Sequence, residues 1–208
     1  MARTRVKICG ITRPEEARLA AAAGADAIGL VFHPQSPRAV SPEGAAAICA
    51  ALPPFVTAVG LFVDPGREHV ERTLAACPLD LLQFHGGEGP DFCAAFGRRY
   101  LKAVRVDSDT DVAAAAARYG ADRLLLDAFV PGLAGGTGRT FNWSLIPADL
   151  APRVVLAGGL DPDNVGEAVR AVGPYAVDVS SGVEERPGVK SAARVEAFMQ
   201  GVRNADRG

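Results

Sequence analysis

Eight short apolar runs, rich in β-branched residues, recur along the whole chain and constrain its fold more than any other feature. Near-continuous hydrophobicity over a few residues is typical of parallel strands that are covered on both faces. The predicted strands are Val6–Cys9, Ala27–Phe32, Val56–Phe62, Leu79–Phe84, Leu101–Val106, Arg123–Asp127, Val154–Leu156 and Ala176–Val179. We therefore expect an α/β protein with a parallel sheet.

Helix signals lie between these runs. A capping residue, a proline and acidic residues occur together at three predicted helix starts, which are Thr12–Glu16, Ser41–Glu43 and Asp161–Asp163. Alanine-rich segments favour helix at Glu15–Ala23 and Asp111–Tyr119, and a last helix is predicted at about Ser191–Val202.

The 208 residues give about 26 residues to each strand–helix unit. Eight such units predict a single-domain (β/α)8 TIM barrel over residues 1–208, at the small end of the size range of that fold. The tripeptide Gly-Ala-Asp occurs at 24–26 and again at 120–122, before the second and the sixth predicted strand. Those strands are four units apart, as two matching half-barrels require. An open, doubly wound sheet is the alternative architecture.

The charges nearly cancel, with 22 Lys and Arg against 24 Asp and Glu and a net charge of −2. Because this balance gives no large basic field, we expect neither nucleic acid nor a membrane surface as a partner. The sequence has no stretch of about 18 apolar residues that would span a bilayer. Its amino terminus does not resemble a signal peptide, so we expect a cytoplasmic protein.

The four cysteines are Cys9, Cys49, Cys77 and Cys93. They include no CxxC pair, and no histidine occurs at metal-ligand spacing. A disulfide framework is typical of short secreted chains, and a zinc site needs closer clustering. We expect reduced thiols, no metal site, and a core-packing role for three of the four.

Candidate catalytic groups lie at the carboxyl ends of the predicted strands, where barrels of this kind carry their active sites. Side chains alternate along a strand, so Lys7 shares a face with Cys9, and Gln83 shares one with His85. Asp127 ends a run of three leucines, where a carboxylate is costly unless it is paired or used. Cys9 is either a core residue or, when flanked by cations, a usable base. An acid facing a base across the pocket suits the removal of a proton from carbon and its delivery to oxygen.

The loops after the last two predicted strands carry a phosphate-binding signal. One contains Gly158 and Gly159, and the other contains Ser180, Ser181 and Gly182. Barrels of this class bind phosphate at this pair of loops, where glycines let backbone N–H groups approach the anion. The alternative is that both loops are only tight turns with capping serines.

A long glycine-rich loop, Ala128–Phe141, follows the sixth predicted strand. A loop of this length in a minimal domain is usually a lid or a binding loop, and the alternative is a plain connection.

Eight segments, taken together, identify a family resemblance. They are VKICGIT at 6–12, FHPQSPRAVS at 32–41, AVGLFVD at 58–64, LLQFHG at 81–86, LLLDA at 124–128, GGTGRTFNW at 135–143, LAGGLDPDNV at 156–165 and DVSSGVEERPGVK at 178–190. In this order they resemble the phosphoribosylanthranilate isomerase family of tryptophan biosynthesis. The resemblance extends from Arg5 to about Phe198.

The resemblance implies a (β/α)8 barrel that isomerises N-(5′-phosphoribosyl)anthranilate by an Amadori rearrangement, with no metal or organic cofactor. It implies that Cys9 is the general base at ribose C2 and that Asp127 is the general acid at the ring oxygen. Arg38 then holds the anthranilate carboxylate. Lys190 is followed by Ser191, where the family commonly has Asp, and Ser is still able to cap the last helix.

The resemblance also assigns the rest of the expected pocket. The phosphate-binding residues are Gly158, Gly159, Ser180, Ser181 and Gly182, and the lid is Gly135, Gly136, Thr137 and Gly138. Lys7, Gln83, His85 and Asp178 complete the expected pocket. If the Cys9 thiol only packs, His85 or Asp178 is the alternative base.

Two other functions remain open at this point. One is a Schiff-base aldolase on the same barrel, with Lys7 or Lys102 as nucleophile. The other is a non-catalytic phosphate-binding barrel. A small-molecule sugar phosphate is the expected substrate, and the chain is expected to be a monomer or a homodimer.

Overall fold

A computed structural model describes residues 3–128 and 140–208 of the chain, in which parallel strands close into a barrel. The strands, in chain order and in barrel order, are β1 (Arg5–Cys9), β2 (Ala27–Val31), β3 (Thr57–Phe62), β4 (Leu81–Phe84), β5 (Arg99–Val106), β6 (Leu124–Ala128), β7 (Val155–Leu156) and β8 (Ala176–Val179). β1 pairs with β8 through Lys7 opposite Asp178, and it also pairs with β2. This closure confirms the predicted (β/α)8 barrel and excludes the open sheet.

Helices connect the strands on the outside. Within the described residues they are α1 (Pro14–Ala23), α2 (Pro42–Cys49), α3 (Arg67–Ala76), α4 (Pro90–Ala94), α5 (Val112–Tyr119), α6 (Val165–Val172) and α7 (Ala192–Arg207). The residues described between β6 and β7 form two 3-10 turns, Trp143–Leu145 and Ala151–Arg153, in place of an α-helix. A short hairpin of β9 (Glu184–Arg186) and β10 (Val189–Lys190) precedes α7. In the same residues, no helix is long and apolar enough to cross a membrane.

The capping predictions have mixed outcomes. Ser41 accepts a hydrogen bond from the backbone N–H of the third helical residue of α2, at 3.1 Å, and Ser191 caps α7 in the same way. The expected cap at Thr12 is wrong, because α1 begins after Arg13. The Thr12 hydroxyl instead donates to the carbonyl of Gly188 in the β9–β10 turn, at 2.8 Å. It therefore links the start of α1 to the hairpin.

The other two boundary predictions shift by a few residues. Asp161 accepts hydrogen bonds from the backbone N–H groups of Asp163 and Asn164, and α6 begins only at Val165. The last helix extends to Arg207, beyond the expected end at Val202, and buries residues as far as Ala205.

Apolar side chains fill the inside of the barrel. Those of Leu101, Ala103, Leu125, Val155, Ala157 and Ala176 form one buried cluster, while a larger cluster packs the outer faces of the strands against the helices. Cys9, Val31 and Leu61 form a further cluster nearer the carboxyl ends. Because side chains alternate along each strand, Asp127 faces the same side of β6 as Leu125. The polar groups after these clusters therefore line a cavity at the carboxyl end.

Candidate active site

A cavity of about 350 Å³ opens at the carboxyl ends of the strands. Ten of the predicted site residues line it, namely Cys9, Arg38, Gln83, His85, Asp127, Gly158, Gly159, Asp178, Ser180 and Ser181. Lys7 lies below the cavity. Gly182 lies behind it, packed so closely against the carbonyl oxygen of Leu160 that no side chain fits there. The predicted lid residues Gly135, Gly136, Thr137 and Gly138 lie outside the described residues.

Cys9 ends β1 with its thiol buried beside a buried ion pair. Lys7 Nζ lies 2.7 Å from Asp178 Oδ1 on β8. A Cβ atom at Gly29 of β2 would lie 2.6 Å from Cys9 Sγ and 3.1 Å from Lys7 Nζ. Gly29 therefore leaves the space in which the thiol and the ammonium group meet. The sequence analysis did not identify it, although a glycine inside a strand is a signal for such close approach.

Burial has the largest effect on the Cys9 thiol and raises its pKa above the ordinary value. The ammonium groups of Lys7 and Lys190 act in the opposite direction but do not outweigh burial. Burial also opposes the charge of Lys7, yet Asp178 and Cys9 outweigh it, so the pKa of Lys7 is raised. A protonated, ion-paired amine is a poor nucleophile. This arrangement argues against Lys7 as a Schiff-base lysine.

Lys102, the other lysine of the aldolase alternative, points away from the cavity. Its Nζ donates to the carbonyl oxygens of Gly86 at 2.6 Å and Ala103 at 3.0 Å, and it lies 3.3 Å from the Glu88 carboxylate. Because these partners engage the ammonium group behind the barrel wall, Lys102 is a structural residue of the loop after β4.

Asp127 is the next-to-last residue of β6, which is separated from β1 by β7 and β8. Its Oδ1 accepts a hydrogen bond from the backbone N–H of Ala128 at 2.9 Å, and its Oδ2 lies 3.1 Å from His85 Nε2. Gly158, with φ +84°, lies directly against Ala128, where a side chain would clash with the backbone and approach Asp127. The predicted phosphate-loop glycine therefore also lets the loop after β7 close on the proposed acid.

Arg38 lines the cavity but is not free. Its Nε and Nη2 donate to the two carboxylate oxygens of Glu184, each at 2.7 Å. Lys190, whose side chain is fully buried, donates to the same carboxylate at 2.8 Å and to the carbonyl of Ser180 at 3.1 Å. Burial opposes the charge of Glu184, but the hydrogen bonds from Arg38 and Lys190 outweigh it and lower the pKa. Burial lowers the pKa of Lys190.

Glu184 and Lys190 were missed as individual residues by the sequence analysis. Both lie inside the segment DVSSGVEERPGVK, so the motif covers them. Their roles depend on contacts with Arg38, which is 146 residues away from Glu184 in the sequence.

The loops after β7 and β8 face the same cavity. Gly158 and Gly159 both have positive φ, and the loop after β8 enters a 3-10 turn at Ser181–Val183. The hydroxyl oxygen of Ser180 is buried and has no hydrogen-bond partner in residues 3–128 and 140–208. An unpartnered buried hydroxyl at the cavity wall is a group that a bound anion is able to satisfy.

The described part of the chain contains no cluster of His, Cys, Asp and Glu that could hold a metal ion. The thiol on β1 and the carboxyl group on β6 are each able to exchange a proton with a molecule bound between them, next to loops that are able to bind an anion.

Comparisons with known proteins agree with this arrangement. The family model described as N-(5′phosphoribosyl)anthranilate (PRA) isomerase matches residues 6–201. The N-(5′-phosphoribosyl)anthranilate isomerase of Pseudomonas fluorescens strain SBW25 is 58% identical over 206 residues, which are 99% of this chain and 98% of that protein.

Two solved structures are also similar. One is a phosphoribosyl anthranilate isomerase in complex with reduced 1-(o-carboxyphenylamino)-1-deoxyribulose 5-phosphate, at 39% identity and a TM-score of 0.84. The other contains monomers generated from the dimeric phosphoribosylanthranilate isomerase of Thermotoga maritima, at 38% identity and a TM-score of 0.84. Each alignment covers 97% of this chain and 99% of the other. This chain belongs to the N-(5′-phosphoribosyl)anthranilate isomerase family.

Proposed function

We propose that this protein isomerises N-(5′-phosphoribosyl)anthranilate to 1-(2-carboxyphenylamino)-1-deoxyribulose 5-phosphate in tryptophan biosynthesis. The observation that carries the proposal is a single cavity with a thiol on one wall, a carboxyl group on the other and an anion site between them. Cys9, Asp127 and Ser180 mark these three positions. The reaction is an aldose–ketose isomerisation that needs an acid and a base acting on different atoms.

Asp127 acts first, as the general acid. It gives its proton to the ring oxygen of the ribose while the bond from C1 to that oxygen breaks and its electrons remain on oxygen. The lone pair of the anthranilate nitrogen forms a double bond to C1, and the open chain becomes a protonated Schiff base. His85 supports the Asp127 carboxylate that this step leaves.

Cys9 acts next, as the general base in its thiolate form. It takes the proton from C2, and the electrons of that bond form the C1–C2 double bond while the Schiff-base nitrogen becomes neutral. The resulting aminoenol gains a proton at C1 and loses its hydroxyl proton at C2, which gives the ketose. Exchange with solvent then returns one proton to Asp127 and removes one from Cys9. The ammonium group of Lys7 stabilises the thiolate, since it lowers the pKa of Cys9.

The binding groups hold the two charged ends of the substrate. Arg38 offers the anthranilate carboxylate its remaining N–H groups, while Glu184 fixes the guanidinium plane. Backbone N–H groups around Gly158 and Gly159, with the Ser180 hydroxyl, take the phosphate. Gly135–Gly138 are proposed to form a lid over the bound substrate.

A turnover assay with N-(5′-phosphoribosyl)anthranilate tests the proposal directly. We expect conversion to the deoxyribulose product without added metal or cofactor, and no lysine adduct after borohydride treatment during turnover. A borohydride-trapped lysine would support the aldolase alternative, and binding without turnover would support a non-catalytic barrel.

We also propose a cytoplasmic homodimer. The phenyl ring of Phe55, before β3, is 98% exposed, and Tyr175, before β8, is 46% exposed. Both lie at the amino ends of the strands, away from the cavity, and aromatic residues are enriched in interfaces between protein chains. Sedimentation should give a dimer, and Phe55→Ser should give a monomer with unchanged kcat. A wild-type protein that is monomeric at all concentrations would contradict the homodimer. Recovery of the protein in the membrane fraction of cells would contradict the cytoplasmic location.

A further inference from the structure

Three buried side chains form a hydrogen-bonded chain along the wall of the cavity. His85 Nε2 lies 3.1 Å from Asp127 Oδ2, and His85 Nδ1 lies 3.1 Å from Gln83 Nε2. Gln83 and His85 belong to β4 and its end, whereas Asp127 belongs to β6. Ala103, on the β5 strand between them, has only a methyl side chain, which leaves room for contact across β5.

The donor and acceptor capacities of the three groups fix where the hydrogen atoms lie. An ionised carboxylate only accepts, so His85 Nε2 carries the hydrogen when Asp127 is ionised. A neutral imidazole has one N–H group, so Nδ1 is then bare and accepts from the amide nitrogen of Gln83. The amide orientation in the structure is therefore compatible with an ionised Asp127.

The amide group of Gln83 is able to take a second orientation. Gln83 Oε1 is buried, and residues 3–128 and 140–208 offer it no hydrogen-bond partner. A half-turn of the amide group would place Oε1 against His85 Nδ1, which must then carry a hydrogen. That orientation fits only when the pair of His85 and Asp127 holds one additional proton. Either Asp127 is then protonated and His85 is neutral with its hydrogen on Nδ1, or Asp127 is ionised and both ring nitrogens of His85 carry a hydrogen.

We propose that Gln83 is a positioning residue whose amide group takes two orientations, one for each protonation state of the His85–Asp127 pair. The amide nitrogen faces His85 when Asp127 is ionised. The amide oxygen faces His85 when the pair holds the proton that Asp127 delivers to the substrate. The inference rests on the proposed function, in which Asp127 is the general acid.

Other charged and titratable groups surround the pair. They are Cys9, His33, Arg38 and Asp178 on the cavity wall, Lys7 paired with Asp178, Glu184 paired with Arg38, Arg105 opposite Asp127 on β5, and the Lys102–Glu88 pair behind β4. Variants at Gln83 leave all of these groups in place, so a change in titration between them reports on the group that faces His85 Nδ1.

The test is a ¹⁵N NMR titration of the histidine side chains, with His85→Asn used to assign the His85 signals. In the wild-type protein we expect the Nε2–H tautomer on the alkaline side of the titration and an added proton at Nδ1 on the acid side. Gln83→Glu places a carboxylate next to Nδ1, so the added proton should be kept to a pH higher by about one unit or more. Gln83→Met offers Nδ1 no acceptor, so the proton should be lost at a lower pH than in the wild type.

The pH profile of kcat should shift in the same two directions. Gln83→Met adds no charge next to His85, so its shift to lower pH is the result that a purely structural role would not produce. The Nδ1–H tautomer in the wild-type protein at alkaline pH, or titrations that are alike in all three proteins, would overturn the inference. The NMR readout does not depend on turnover. If Asp127→Asn proved fully active, the proposed acid would be wrong, while the tautomer result would still test the chain of hydrogen bonds.

Discussion

Arg38 donates two parallel hydrogen bonds of 2.7 Å to the carboxylate of Glu184. Arg38 is the residue that the sequence predicts to bind the substrate carboxylate. Glu184 therefore already occupies the Nε and Nη2 edge of its guanidinium group. Lys190 completes the group, so that two cations and one carboxylate lie against the cavity and the phosphate loop. This group of three side chains carries one net positive charge, which suits it to one acidic group of the substrate.

Arg38→Ala should raise KM by about 10- to 100-fold, with a smaller effect on kcat. Hydrogen bonds to charged groups contribute about 1.5–3 kcal/mol, and each 1.4 kcal/mol is a factor of about ten. Arg38→Lys should also raise KM, because an ammonium group does not reproduce the planar pair of donors. Steady-state kinetics checks both variants. An unchanged kcat/KM in Arg38→Ala would remove this residue from substrate binding.

Glu184→Gln should also raise KM, although its side chain is not proposed to touch the substrate. The amide keeps the size of the carboxylate but loses the charge that pairs Arg38 and Lys190, so the guanidinium group is held less firmly. The double variant with Arg38→Ala should lose little more than Arg38→Ala alone. Additive losses in this double-mutant cycle would show that the two residues act independently.

Inorganic phosphate should compete with the substrate at the loops after β7 and β8. Ser180→Ala should weaken this inhibition, because the buried hydroxyl is able to donate to the anion. The inhibition constants of the wild type and of this variant, measured under the same ionic strength set with chloride, check the site. Non-competitive behaviour, or equal constants in the two proteins, would count against it.

Gly29→Ala should destabilise the protein and reduce activity, since the added carbon would meet Cys9 Sγ at 2.6 Å. Overpacking of this kind typically costs about 1–3 kcal/mol. Gly44→Ala is the matched control, because its Cβ atom would make only an ordinary contact of 3.4 Å on the exposed side of α2. Thermal unfolding should place the control at or above the wild-type Tm. Equal Tm values for the two variants would mean that Gly29 is not needed for space.

The barrel was predictable from sequence because eight apolar runs with intervening helix signals leave few architectures. The strand-end rule then placed Cys9 and Asp127 on one cavity. Contacts between distant segments were not predictable in this way. Thr12 carries a sound local capping signal, yet its hydroxyl binds the turn at Gly188. The pairing of Arg38 with Glu184 likewise depends on how the hairpin after β8 folds back, which no local pattern encodes.

The pKa of Cys9 has a consequence for its reactivity. Burial raises this pKa, so the thiolate that alkylating reagents attack is scarce at neutral pH. Inactivation by iodoacetamide should therefore speed up as the pH rises above neutrality, and product should protect. Lys7→Met removes a charge that lowers this pKa, so inactivation at a fixed pH should be slower than in the wild type. Inactivation that is fast and independent of pH near neutrality would contradict this description of the thiol.

The most direct test of the central claim is kcat at saturating substrate for Cys9→Ser and Asp127→Asn. Each variant keeps the shape of the side chain and removes its proton-transfer capacity, and general acid–base groups contribute about 10²- to 10⁴-fold in rate. Each substitution alone should lower kcat at least about 100-fold, while the reduced product analogue should still bind with near wild-type affinity. Near-normal kcat in Cys9→Ser would show that the thiol only packs and that the base lies elsewhere in the cavity, and near-normal kcat in Asp127→Asn would remove the proposed acid.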